Sequence, residues 1–538
     1  MSRPYGIDLG TTYSVIATVD DRGAPVVLRN PLGAETTPSV VCFESPTSVL
    51  VGAAARDAAA TMPDLTVSLI KRQMGTDRLL SFHDVEYSPE AISALILRAL
   101  VDGAAPGTAG AAPQVVVTVP AYFGIREREA TQEACVLAGL DVLELVTEPL
   151  AAALHYGLSD MDSSGPVVVY DLGGGTFDAT VLTFDGGARV LATDGDTELG
   201  GADWDKRLAS LLIERFVELA APASDPTDDI GFMSEVTQAA ETTKRALSSV
   251  NAHRATLRGV GATATVTITR HELEEMTRDL VDSTLVCLHR LLDAADRAGA
   301  ARARRCLLVG GSSRMPMIGA ALSREFGWTV ALHDPDLAVA KGAALRSCQL
   351  RPPDPAWVTP SWGTEAVRPS HRGQAEPAAS AGSAGSAGSA GSVVSRSFGL
   401  RVHDSTDRTG SRTFVNHVIH QNDPLPVVDR EIEVATILED QNAIRIEVYE
   451  QAGAVESTEV AHNRRVLDGE LSGLPDRLPA GSPIKVRLSL GLDGRLSVGA
   501  VEPGSGAALH LDAYIDGVLD RAERDRTAAG LSRLAVRQ

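Results

Sequence analysis

Two short stretches carry the residues best suited to grip a phosphate chain. The first reads Asp8-Leu9-Gly10-Thr11-Thr12-Tyr13, the second Asp171-Leu172-Gly173-Gly174-Gly175-Thr176-Phe177-Asp178. Each closes a strand-like apolar run with an aspartate and then turns on small residues. Glycine lets successive backbone N–H groups approach an anion closely and form a nest for its oxygens. The hydroxyls of Thr11, Thr12 and Thr176 add donors. No GxxxxGK[ST] loop occurs in the chain, so this is not a P-loop. Asp8 and Asp171 end equivalent strands, so two facing copies bring two carboxylates to one site. Mg2+ favours that arrangement, holding one or two carboxylates through its waters while bridging phosphate oxygens. One copy alone also reads as a plain hairpin with a capping aspartate. Two copies at equivalent places read as a duplicated clamp.

The elements around the turns repeat as well. Residues 5–9, 13–19 and 25–28 form one predicted three-stranded meander, and 167–172, 177–184 and 189–192 form a second. Residues 90–104 and 125–139 read as helices, with 115–119 as a buried strand between them. Longer helical patterns cover 203–220, 233–249, 271–298 and 336–348. This alternation predicts an α/β region over 1–350. From 351 to 392 the chain turns to Pro, Ala, Gly and Ser and ends in AGSAGSAGSAGS, a composition that builds no core and reads as a flexible linker. Residues 393–511 alternate as β-strands. Val486, Leu488 and Leu490 share one face, Asp493-Gly494 marks a hairpin, and Leu496 and Val498 lie on the returning strand. Residues 512–538 suit a short helix that Gly517 and Gly530 weaken.

The 538 residues exceed one core, and 44% of them are hydrophobic. A formal net charge of −21 argues against nucleic acid as a partner. No apolar run reaches the length of a membrane span and the N-terminus lacks a signal-peptide core, so no membrane role and a cytoplasmic location are expected. The five cysteines are scattered without a CxxC pair, as reduced buried thiols are.

Taken with further segments, the two clamps resemble the phosphate motifs of the actin-like ATPase superfamily, and more narrowly of the heat-shock protein 70 (DnaK) family. VVVTVPAYFGIREREAT (115–131) and DPDLAVAKGAAL (334–345) resemble its two connecting motifs. LLVGGSSRMPMI (307–318) resembles its adenosine motif. VTEPLAAALHYG and GDTELGGADWD fall in the family's order. The resemblance spans 4–348 and implies a duplicated two-lobed ATPase domain followed by a β-sandwich and a truncated helical lid.

The same resemblance assigns roles. Gly10, Thr11, Thr12 and Tyr13 would meet the β- and γ-phosphates from one side, and Gly173, Gly174, Gly175 and Thr176 from the other. Asp8 and Asp171 would hold Mg2+ through water, with K+ as a further candidate cation. Lys71 would face the γ-phosphate, where a cation stabilises developing charge. Glu148 and Asp178 would stand near the attacking water. Glu241, Lys244, Arg245 and Ser248, at i, i+3, i+4 and i+7 on one helix face, would contact adenosine. Arg245 and Arg314 would stack on adenine. Gly310, Gly311, Ser312 and Asp336 would complete the ribose and α-phosphate side. Pro120 and Arg128 would couple nucleotide state to the second domain. Leu400, Ile444 and Ile446 would wall a pocket for extended peptide, with Ala435 where an aromatic is expected.

Three departures from that pattern stand out. SAGS at 389–392 replaces a leucine-rich linker, and a floppy tether would transmit no strain. Little chain follows the sandwich to form a lid, so a bound peptide would leave quickly. Glu144 and Thr147 occupy positions that resemble a J-domain contact, and the glutamate reverses a charge there, leaving both a J-domain co-chaperone and a nucleotide exchange factor open as partners. The expected function is an ATP-hydrolysing chaperone-like protein of protein folding, unfolded-protein binding and stress response. The alternatives are an ATP-dependent adaptor or signalling scaffold with a dedicated protein partner, and a sugar kinase of the same superfamily.

Overall fold

In the computed structural model the described residues are 3–104, 112–157, 165–184, 188–332, 334–350, 392–404, 412–475, 478–491, 494–512 and 521–538. The predicted linker falls outside them except for Ser392, and so do Asp493 and Gly517.

The first 350 residues build two sheets of the same design. In the first, strand Tyr5–Asp8 pairs antiparallel with Tyr13–Val19, which pairs with Pro25–Val27. On its other side it runs parallel to Gln114–Val119, and that strand runs parallel to Asp141–Thr147. In the second, Val167–Leu172 holds the same central place. Phe177–Thr183 and Arg189–Asp196 continue antiparallel on one side, Arg305–Val309 and Thr329–Leu332 parallel on the other. The parallel strands read as unbroken Val, Ile and Leu because both of their faces are covered. Helices Glu148–Gly157 and Ala338–Leu350 pack together between the sheets. Their apposition is tight: a Cβ on Gly342 would lie 1.7 Å from the Ala151 carbonyl oxygen.

Each sheet carries an inserted layer. On the first, the small strands Val41–Ser45 and Ser48–Val51 and the turn Ile70–Gln73 pack against helix Pro89–Ala104, and helix Ala53–Ala58 packs on the small strands. On the second, helices Gly201–Ala220 and Ile230–Leu247 cover the hairpin Ala252–Gly259/Ala262–Thr269. The predicted helix over 271–298 is two helices, Arg270–Met276 and Arg278–Arg297. At the break Thr277 donates its hydroxyl to the Leu273 carbonyl at 2.6 Å, a side-chain bond that competes with helix continuation.

Residues 398–512 form two four-stranded sheets around one apolar core. Val486, Leu488, Leu490, Leu496 and Val498 all face that core, as their alternation requires. The last segment departs from the helical expectation: helix Arg521–Ser532 is followed by strand Ala535–Arg537, and both lie against the first lobe rather than over the sandwich. Among the described residues no helix is long and apolar enough to cross a membrane.

Candidate active site

The two Asp-Leu-Gly turns face each other across a cleft of about 580 Å³, within the range of small-molecule sites. Asp8, Gly10, Thr11, Thr12 and Tyr13 line it from one lobe, and Asp171, Gly173, Gly174 and Thr176 from the other. The turns interlock. A Cβ on Gly174 would lie 2.1 Å from the Thr12 hydroxyl, and one on Gly175 2.2 Å from the Thr11 methyl. Glycine in one copy thus makes room for threonine in the other, and the clamp closes only because its halves differ.

At the floor, Lys71 Nζ stands 2.6 Å from Glu148 Oε1, both side chains buried. Lys71 comes from the first lobe's inserted layer, Glu148 from the start of helix Glu148–Gly157. Burial alone would lower the Lys71 ammonium, but Glu148 and Asp8 outweigh it and hold its pKa above the ordinary value. Asp8, Asp171, Glu148 and Asp178 set four carboxylates around that one cation. Burial, then the charge of Glu148, raises Asp8 to about 7 and Asp178 to about 8. The same two causes push Asp171 well above the carboxylate range. Negative charge here exceeds what the protein itself neutralises.

That surplus is the test of whether Mg2+ fits. Among the described residues no three His, Cys, Asp or Glu side chains converge tightly enough to bind an ion directly. Two buried aspartates in an open cleft suit an ion that keeps its waters, so the site fits Mg2+.

Glu241, Lys244, Arg245, Ser248, Gly310, Gly311, Ser312, Arg314 and Asp336 line the far end of the same cleft. Tyr13 donates its hydroxyl to Glu241 at 3.0 Å and accepts from Arg245 and from Arg56 at 3.0 and 3.1 Å. Lys244 pairs with Asp205 at 2.7 Å, and Arg314 with Asp336 at 2.5 Å. Gly310 has φ +79°, and a Cβ there would meet the Leu172 carbonyl oxygen at 2.4 Å. The adenosine-motif turn therefore presses directly on the second Asp-Leu-Gly strand.

Two expected residues stand back from the wall. Gly175 packs against Thr11. Asp178 is buried behind the cleft and accepts the Tyr122 N–H at 2.9 Å. Tyr122 links it onward: its hydroxyl donates to the Gly453 carbonyl at 2.8 Å, and its own carbonyl accepts from Arg396 Nε at 3.2 Å. Arg396 lies over the Tyr122 ring and, with Arg464, pairs with Glu127. The sandwich therefore sits against the region behind the cleft through a buried ionic joint; the expectation about the tether falls, Ser392 apart, on residues outside the described ones. Val393 packs in the apolar seam between the two lobes and Val394 in the sandwich core. Arg128 and Thr147 line a cavity of about 60 Å³ at this joint, and the Pro120 carbonyl accepts from Phe123 beside it.

Glu144 is engaged within the first lobe by Arg346 at 2.6 Å. Leu400 and Ile446 are buried in the sandwich core and Ile444 packs half-buried against it, while Ala435 is exposed at a strand end. Arg72 escaped sequence reasoning. It bridges the lobes, donating to the Gly175 carbonyl and to Asp203, each at 2.7 Å. Its place beside Lys71 was the available signal.

A family model described as Hsp70 protein matches residues 4–84 and 79–356, more than half of the 538 residues.

Proposed function

The chain belongs to the Hsp70 family, an ATP-binding chaperone family whose members are ATPases, and from that premise we propose that its cleft binds Mg·ATP and transfers the γ-phosphoryl group to water. The observation that carries this reading is the facing pair of Asp-Leu-Gly turns with the Lys71–Glu148 pair at their floor. In this reading residues 1–350 are the nucleotide-binding unit, 351–392 the linker, 393–511 the substrate-binding-like sandwich and 512–538 the tail. Gly10, Thr11, Thr12, Gly173, Gly174 and Thr176 hold phosphate oxygens through N–H and hydroxyl donors. Asp8 and Asp171 would hold Mg2+ through water, and the ion would supply charge neutralisation at the phosphates. Lys71, itself buried at the cleft floor, stabilises charge on the transferred group. Glu148, fixed by Lys71, orients the attacking water. Glu148, which lines the cleft, also accepts the water's proton, and Asp178, buried behind the wall on the Tyr122 N–H, braces that end of the cleft. Because Asp178 is held by Tyr122, and Tyr122 by the sandwich, docking of the sandwich bears on the cleft through Tyr122.

The test is single-turnover hydrolysis by Thr176→Ala/Asp178→Asn. A loss of at least about a hundredfold is expected, and a wild-type rate would sink the assignment.

A second reading is supported by the sandwich core. Leu400 and Ile446 are packed there, which favours a dedicated protein partner, as in an adaptor, over capture of unfolded peptide. Release of a fluorescent extended peptide with and without ATP separates the two. Acceleration by ATP supports the chaperone cycle, and ATP-independent or absent binding supports the adaptor. Glu144 is tied up by Arg346, so recruitment of a J-domain through that position is not expected.

A further inference from the structure

The chain returns to its own first lobe after leaving the sandwich. Strand Ala535–Arg537 runs parallel to Ser48–Val51, with Ala535 opposite Ser48 and Arg537 opposite Leu50, and adds itself to the edge of that small sheet. The Ala535 N–H donates to the Thr47 carbonyl at 2.9 Å. Before it, Leu531 and Leu534 are buried in the core that contains Phe43, Ile92 and Leu95. Arg98 donates to the Leu531 and Leu534 carbonyls at 2.9 and 2.7 Å, satisfying the groups a helix end leaves open. Arg524 pairs with the buried Glu133 at 2.6 Å. The segment thus fastens the edge of the inserted layer at one end and helix Ile125–Leu137 at the other.

What it fastens bears on the cleft. Helix Pro89–Ala104 meets the tail through Arg98. One turn or so earlier, Ser93 donates its hydroxyl to the Met74 sulfur at 3.3 Å. Met74 closes the turn Ile70–Gln73, which delivers Lys71 and Arg72, and Ile70 and Met74 share one core with Leu531 and Leu534. Ser48–Val51 runs into helix Ala53–Ala58, which carries Arg56 to Tyr13. The tail, the small sheet, the helix and the cleft cations form one packed unit.

We propose that residues 521–538 are a strap that completes the nucleotide-binding unit and positions Lys71, Arg72 and Arg56, so that this segment acts on the ATP site through the inserted layer rather than over the sandwich. Leu531, Leu534 and Arg98 are positioning residues. The proposal rests on the ATP-site reading. Its energetic logic is that a reacting group displaced by about 1 Å can lose a hundredfold in rate, and Leu531 and Leu534 share one core with Ile70 and Met74, which flank Lys71 and Arg72.

The test is Leu531→Asp/Leu534→Asp in the full chain, read in two ways. Hydrogen exchange of the Ser48–Val51 and Ile70–Gln73 amides should quicken at least tenfold. Single-turnover hydrolysis should slow by about tenfold to a hundredfold while the KM for ATP moves less than threefold. A synthetic peptide of residues 521–538, added to that variant, should restore both. Leu531→Met/Leu534→Met should leave both at wild type. Should the double aspartate variant fail to fold, Ala535→Pro removes one strand N–H and should give a several-fold effect in the same directions. Quickened exchange with unchanged turnover overturns the proposal, and so does unchanged exchange. If the wild-type chain binds no ATP at all, the site reading fails instead, while the exchange data still report whether the tail is fastened.

Discussion

The two lobes share a sheet design strand for strand, yet they contribute different chemistry and are finished in different ways. The first lobe offers threonines to the phosphate cleft where the second offers glycines, and the two kinds interlock at Thr11/Gly175 and Thr12/Gly174. The first lobe's inserted layer sends Lys71 to the cleft floor, while the second lobe's sends Lys244 and Arg245 to the far end. The second layer is self-contained: its hairpin runs straight into helix Arg270–Met276, started by a Thr269/Glu272 capping box. The first layer borrows its outermost strand from the last residues of the chain. The two lobes make a scaffold with twofold likeness, and the reaction proposed at its centre, with one leaving group and one water, would need two unlike walls.

The sharpest way to break this comparison is to remove one cation from each lobe. Lys71→Met should lower single-turnover hydrolysis by at least about a hundredfold, since it takes away charge stabilisation at the transferred group, and should leave ATP affinity within a few fold. Lys244→Met should do the reverse, weakening ATP binding several-fold with hydrolysis of bound ATP little changed. Lys244 pairs with Asp205 and with the Gly201 carbonyl at 2.7 and 2.8 Å, away from the Lys71–Glu148 floor. Rapid-quench hydrolysis and calorimetric titration measure the two quantities. Equal losses in both variants would erase the division of labour between the lobes.

The interlock can be probed by making the walls more alike. Gly175→Ala places a methyl where the Thr11 methyl now sits, 2.2 Å from it. Since the backbone on both sides is committed to the clamp, the lobes must part or the turn must shift. ATP affinity should fall about tenfold, the loss that corresponds to about 1.4 kcal/mol of strain or lost contacts. Thr11→Gly in the same chain should recover part of it by reopening the space. A Gly175→Ala chain with wild-type affinity would mean that the two turns do not close on each other in the bound state.

Legibility in the sequence followed the reach of each interaction. The clamps could be read because strand alternation and glycine turns are local, so Asp8 and Asp171 announced themselves within a few residues. The site residues that gather in the cleft, from Gly10 to Asp336, were reachable through ordered motifs. The pairing of Arg72 with Asp203 was not, because a neighbouring motif marks each residue but nothing local joins an arginine to a carboxylate in the other lobe. The ionic joint of Arg396, Glu127 and Arg464 was hidden for the same reason. The tail misled more actively. LSRLAVRQ is too short to show a strand period, and Ala535–Arg537 is a strand only because Ser48–Val51 offers it an edge.

The mildest contrast between the lobes lies in how their inserted layers are secured, and pH separates it. In the second layer Glu272 accepts the Thr269 N–H at 2.8 Å and the Thr269 hydroxyl at 2.7 Å, and is joined by Arg215. Those hydrogen bonds from Thr269, aided by Arg215, lower its pKa to about 2 from an ordinary value of 4.5. A carboxylate depressed in the folded state stabilises it fully above the unfolded pKa and loses that contribution as pH falls through the folded one. Glu272→Gln should therefore cost on the order of 1 kcal/mol at pH 7. The cost should shrink as pH drops from 4.5 toward 2, because the wild-type glutamate then becomes protonated too. Urea unfolding of the two chains at pH 7, 4 and 3 gives the difference directly. The tail of the first layer packs two buried leucines far from Glu272, so exchange protection at Ser48–Val51 should respond to Leu531→Asp/Leu534→Asp and not to Glu272→Gln. A cap that acts where it sits, beside a strap that acts across the chain, is what the proposal expects. Loss of Ser48–Val51 protection in Glu272→Gln would show instead that the two layers unfold as one.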